Sequence, residues 1–157
     1  MDIHTKLTPH FTLNELIRST RASELGIDNT PSQSVLSSLI LLCTNILEPV
    51  REHFNRPVRV NSGYRSPALN AAIHGSKMSQ HMSGQAVDFE IDGIANYDLA
   101  VWVSENLSFD QLILENYISG GDPNSGWVHC SLLNDFDKNR MQTLTINGKN
   151  KQIGLIK

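Results

Sequence analysis

The chain has 157 residues, 39% of them hydrophobic and 18% charged, with a formal net charge of −3. That is the size and composition of one ordinary globular domain, 1–157, able to bury a core without disulfides or a structural metal. The acidic balance lacks the basic footprint of a nucleic-acid binder, so no nucleic-acid partner is expected. Met1 to Phe11 is polar and lacks the apolar core of a secretory signal, so cytoplasmic synthesis is expected. The longest strictly apolar run, Leu39 to Cys43, is far shorter than the roughly 20 residues that span a bilayer, and no membrane partner is expected. Cys43 and Cys130 read as two buried free thiols rather than a disulfide framework.

In chain order, Thr12-Leu13-Asn14-Glu15 has the pattern of a capping box, which predicts a helix that fades near Gly26. Thr30-Pro31 reads as the next helix start. Val35, Leu39, Leu42, Ile46 and Val50 follow at helical spacing, with a kink expected at Pro49. Val58-Arg59-Val60 reads as a short strand, and Ser66-Pro67 caps a helix that runs towards Gly75. Residues 76 to 85 read as a polar loop, Ala86 to Ile91 as a strand and Asn96 to Glu105 as a helix. Phe109 to Glu115 and Trp127 to Leu132 read as strands flanking a long Gly- and Pro-containing loop. Gln142–Ile146 and Gln152–Ile156 straddle Asn147-Gly148 and suggest a hairpin with an extended loop. Helices first, then a mainly antiparallel sheet, make an α+β fold.

His81 and Asp88 are the first residues with metal chemistry. Neutral imidazole and carboxylate are good zinc ligands. Gly84 lets the backbone bend between them so that the two side chains can converge. His129 lies in an apolar strand, where alternation sends it and Cys130 to opposite faces, so His129 can meet a metal while Cys130 packs behind. Two histidines and one carboxylate form a common catalytic zinc set that leaves one position for water. Hydrolysis also needs a base, and Glu115, closing an apolar strand, is the best candidate, with Asp110 and Asp122 weaker ones. Arg65, between a strand and a helix start, could grip a carboxylate bidentately. His74 is a candidate support for the metal ligands, and Trp127 could wall the cleft or pack in the core.

Val60-Asn61-Ser62-Gly63-Tyr64-Arg65-Ser66-Pro67, then Ser79-x-His81-x-x-Gly84-x-Ala86-x-Asp88, then Trp127-Val128-His129, closely resembles the D-alanyl-D-alanine carboxypeptidase-like metallopeptidases, which include many phage endolysins. The likeness spans about residues 9 to 132 and leaves out the C-terminal hairpin. It implies that His81, Asp88 and His129 bind zinc, that Arg65 binds a substrate carboxylate or carbonyl, and that Ser79 acts near both. One departure stands out. Many relatives carry the acidic base three residues before the last histidine, and here that position is Gly126. Phe109-Asp110, then Glu115, then a strand ending His-Cys-Ser is similar to the zinc domain of hedgehog signalling proteins, where the matching glutamate faces the metal. That second likeness assigns the base to Glu115.

The resemblance implies a monomeric zinc peptidase acting on the peptide part of bacterial peptidoglycan, either as an endopeptidase or as a D,D-carboxypeptidase. Without a secretory signal or a wall-binding domain, such an enzyme would reach the wall only after release, as in phage lysis, or would work in the cytoplasm. The missing acid at position 126 leaves a rival reading: a non-enzymatic zinc module that binds wall fragments or a protein partner.

Overall fold

The computed structural model describes residues 1–157. A small hairpin, β1 (Lys6–Thr8) with β2 (Phe11–Thr12), leads into α1 (Leu13–Ile17). The capping box is present: the Thr12 side chain accepts from the Glu15 amide, and the Glu15 carboxylate accepts from the Thr12 amide. The helix does not run through to Gly26. It stops at Arg18, and Ser19 caps a new helix, α2 (Thr20–Leu25), which ends on Gly26 at φ 65°. The next helix also starts later than its Pro signal suggested. Ser32, not Thr30, accepts the bond from the Val35 amide that caps α3 (Gln33–Leu42).

The expected kink at Pro49 takes the form of a π-turn. Proline lacks an amide hydrogen and its ring would strike the carbonyl four residues back. Residues Cys43–Leu47 widen to π geometry, with the Glu48 amide donating to the Cys43 carbonyl, before α4 (Glu48–Phe54) resumes. Together Gln33–Phe54 make a 22-residue helical rod that is long and apolar enough, by length and composition, to cross a membrane. Here Leu39, Leu42, Cys43, Ile46, Leu47 and Val50 are all buried in the core against the sheet.

The remaining elements are β3 (Arg59–Ser62), α5 (Pro67–Ala72), β4 (Ala86–Glu90), α6 (Asn96–Asn106), β5 (Gln111–Glu115), β6 (Trp127–Ser131), β7 (Gln142–Asn147) and β8 (Asn150–Ile153). Their six strands form one sheet in the order β3-β4-β6-β5-β7-β8. Every pairing is antiparallel except β5 with β7. The C-terminal hairpin thus adds two strands to the sheet, and its turn is tight, with Asn147 opposite Asn150 across Gly148-Lys149 rather than an extended loop.

Alternation along the strands divides the sheet into two faces. Val60, Val87, Phe89, Leu112, Leu114, Val128 and Cys130 point to one side and join the α3–α4 rod and Leu99, Ala100 and Val103 of α6 in the core. Asp88, His129, Ile113 and Glu115 take the other side. Cys130 is fully buried on the face opposite His129, as alternation requires, and both cysteines are free. Burial pushes the Cys43 thiol up to about 12 and raises that of Cys130 as well, so both stay protonated and behave as core apolar groups.

Candidate metal centre

The register of three strands and one loop builds the site. Asp88 lies directly opposite His129 across β4 and β6. His129 in turn faces Ile113 of β5, and Glu115 faces Trp127, which sets Glu115 diagonally beside His129 on the same face. His81 arrives from a short 3-10 turn, Gln80–Ser83, within the loop expected to be irregular. Gly84 ends that turn at φ 72°, a conformation that suits glycine, and returns the chain into β4.

His129 Nδ1 sits 2.9 Å from Asp88 Oδ1, and His81 Nε2 sits 3.4 Å from Asp88 Oδ2. One potential ligand atom from each of His81, Asp88 and His129 lies within 4.8 Å of the other two. Tetrahedral ligands at about 2.0–2.2 Å from one zinc ion are themselves roughly 3.3 Å apart, so the spacing suits a shared metal. The second nitrogen of His81 supplies an independent test of fit. Its Nδ1 lies 2.7 Å from the Gly63 carbonyl, which has no proton to give, so Nδ1–H donates and Nε2 keeps its lone pair towards Asp88. Burial alone would raise the Asp88 carboxyl, but the two imidazoles packed against its oxygens overcome that and hold the group well below the ordinary carboxylate range. The donor set therefore presents an ionised carboxylate and two imidazoles at one point, and could hold a metal ion.

The surrounding cavity has a volume of about 310 Å³. Arg65, Ser79, His81, Asp88, Glu115 and His129, the six residues to which the family likenesses assign a role, line it together. Ser79 joins two of them: its Oγ accepts from the His81 amide at 3.3 Å and from Arg65 Nη2 at 3.4 Å. The Arg65 amide also donates to the His81 carbonyl. Arg65 Nε and Trp127 Nε1 are buried donors without partners, and both side chains line the cavity. Trp127 is therefore a wall of this cavity with an unused donor. Burial raises the Glu115 carboxyl above its ordinary value, the Asp88 charge raises it further, and His129 and Arg65 partly offset both. A carboxylate moved up towards neutrality is suited to accept and return a proton.

The other candidates fall outside the cavity. Asp110 is 1% exposed and bound on both oxygens: Arg140 Nε and Nη2 donate at 2.9 and 2.8 Å, and Gln80 Nε2 donates at 2.9 Å. It is an anchor, tying the segment that leads into β7 to the residue beside His81. Asp122 is exposed and holds the Asn124 amide. His74 is exposed at φ 58° and does not touch the cavity. The Asn116–Ser125 loop does not line it either. Asn124 and Pro123 pin that loop to Ile91, Ile94 and the start of α6 instead. Sequence reasoning missed the Arg140–Asp110–Gln80 anchor, because nothing in the spacing of those residues marks them as partners.

Gly126 has a structural reason to be glycine. It adopts φ 65°, and a Cβ there would overlap the Glu115 carbonyl and the Asn116 backbone. An acid at this position would have to displace the end of β5, the same strand end that carries Glu115. A comparison with curated proteins finds no match. A family model described as Peptidase M15 matches residues 9–131, which hold every cavity residue named above, and the chain belongs to that family.

Proposed function

We propose that this protein is a zinc-dependent peptidase that hydrolyses peptide bonds in the stem peptides or cross-links of bacterial peptidoglycan. The observation that carries the reading is the convergence of His81 Nε2, an Asp88 carboxylate oxygen and His129 Nδ1 in a cavity that also holds Glu115 and Arg65. Peptidase M15 membership supports the peptidase chemistry and the choice of zinc.

His81, Asp88 and His129 would hold the metal. Zinc bound there supplies Lewis acidity, lowering the pKa of water and polarising a carbonyl. The chain's own groups supply the rest. Glu115, raised by burial, takes the proton from the attacking water and returns it to the departing amine. Arg65, with Nε unpaired and Nη2 only loosely held by Ser79, is free to bind a substrate carboxylate or carbonyl. Trp127 Nε1 offers one more donor on the same wall. The Gly63 carbonyl fixes the His81 tautomer throughout.

Purified peptidoglycan is the test substrate. Wild type should contain zinc and release peptides whose masses identify the bond cut; His81→Ala should lose both metal and activity. A zinc-loaded wild type that cleaves no wall chemotype would point to a module that binds wall fragments without hydrolysing them.

A further inference from the structure

A second and larger cavity, about 910 Å³, lies between the α1–α2 segment, β3 and α5. It meets the metal cavity at a single shared side chain, Arg65. Its volume is near the top of the range for ligand-binding clefts, whereas the metal cavity is near the bottom. The larger groove is therefore the part of the surface with room for several residues of a bound chain.

Its charge is one-sided. Arg18, Arg59 and Arg65 line it, and no aspartate or glutamate does, in a protein whose net charge is −3. Arg59 is partly neutralised by Glu90 at 3.3 Å and Asp92 at 3.0 Å. Arg18 and Arg65 have no acidic partner: Arg18 Nη2 makes one long bond, 3.4 Å, to the Val60 carbonyl, and Arg65 keeps an unpaired Nε. The rest of the polar lining is neutral, including Asn14, Asn29 and Asn61. Such a surface selects an anionic, hydrogen-bonding ligand of extended shape.

We propose that this groove binds the carboxylate-bearing part of an acidic peptide that continues beyond the scissile bond, with one carboxylate on Arg18. This rests on the peptidase reading of the neighbouring site. A chain that runs from the groove past Arg65 to the metal ligands presents an internal bond for cleavage, so the groove favours endopeptidase over carboxypeptidase action. Arg18 is the specificity determinant, because it is exposed at the end of α1 and free of any acid.

Binding can be separated from hydrolysis by using the zinc-loaded Glu115→Gln protein. Calorimetry would compare a stem tetrapeptide bearing free side-chain carboxylates with the same peptide amidated at those groups. The acidic form should bind about five- to tenfold more tightly, the range of one charge-assisted pair at a partly exposed site. Adding Arg18→Gln should erase that preference, Arg18→Lys should restore part of it, and raising salt should weaken it. Equal affinity for the two peptides, no detectable binding of either, or an acidic preference that survives in Arg18→Gln would overturn the proposal. If wall hydrolysis by wild type persists under any of those results, only the groove assignment fails. An Arg18-dependent preference in a protein that hydrolyses no wall would keep the groove and remove the peptidase reading. Equal melting temperatures for the Arg18 variants and their parent separate a binding loss from a folding loss.

Discussion

If the missing acid at position 126 were a simple loss, restoring it should restore function; the backbone forecasts the opposite. Gly126 holds φ 65°, where an L side chain costs roughly 1–2 kcal/mol. Its Cβ would also overlap the Glu115 carbonyl, and forcing extra atoms into a packed site typically costs a further ~1–3 kcal/mol. Gly126→Ala should therefore lose about 2–5 kcal/mol of stability. Urea titration would read this as a fall in the midpoint of about 0.7–2.5 M, given slopes of roughly 2–3 kcal/mol per M for a chain of this size. Gly126→Glu should be at least as damaged, and its wall hydrolysis should fall with it, because the clash lies on the strand end that carries Glu115. Combining Gly126→Glu with Glu115→Gln should rescue nothing. A Gly126→Ala protein within about 0.5 kcal/mol of wild type, the usual scatter of a neutral surface change, would refute the steric argument. Recovered hydrolysis in the double variant would refute it more directly.

Glu115→Gln should keep its zinc and lose wall hydrolysis by about 10²–10⁴-fold, the usual contribution of a general acid–base group, as read by metal content beside the release of peptides. Arg140→Met should cost about 2–4 kcal/mol in denaturant titration, because it strips two charge-assisted bonds from the nearly inaccessible Asp110 carboxylate. The same pair sets a pH dependence. Hydrogen bonds from Arg140, then from Gln80, hold the Asp110 carboxyl below its ordinary value against burial. Its stabilisation is thus complete above about pH 4, the unfolded carboxylate value, and is lost as pH falls through the lower folded value. Arg140→Met should flatten that acid limb of the stability profile, and an unchanged limb would count against the anchor.

Local signals read well where one residue decides the local geometry. Thr12 with Glu15, Ser66 with Pro67, and the alternation of Val87, Asp88 and Phe89 each mark their element because the physics involved spans only a few residues. The candidate metal ligands were legible for another reason: His81 and Asp88 share one short motif, and strand periodicity alone says that His129 and Cys130 part company. Competing signals close together read less well. Thr30-Pro31 and Ser32 could each start a helix, and it is the Ser32 hydroxyl that accepts from the amide three residues on. The split at Arg18 was hidden because Ser19, a good cap, sits inside an otherwise helical pattern. The Arg140–Asp110–Gln80 anchor joins residues about 30 apart in the chain and depends on the parallel β5–β7 pairing, which no local pattern announces.

The position of the acid shows how a linear motif and a folded site can disagree. Along the chain, residue 126 belongs with His129 and Glu115 belongs to another strand. Across the sheet, Glu115 pairs with Trp127, so residues 115 and 126 meet at the same end of β5 and β6. A carboxylate at either position would belong to that end of the sheet. Both strands cannot supply it while the present backbone persists, because the turn that brings β6 in at φ 65° puts the Gly126 α-carbon against the Glu115 carbonyl. The glycine and the glutamate are therefore two parts of one arrangement. Glycine at 126 lets β6 close on β5, and that closure sets Glu115 diagonally beside His129. The absence of an acid at 126 argues for Glu115 as the base rather than against hydrolysis.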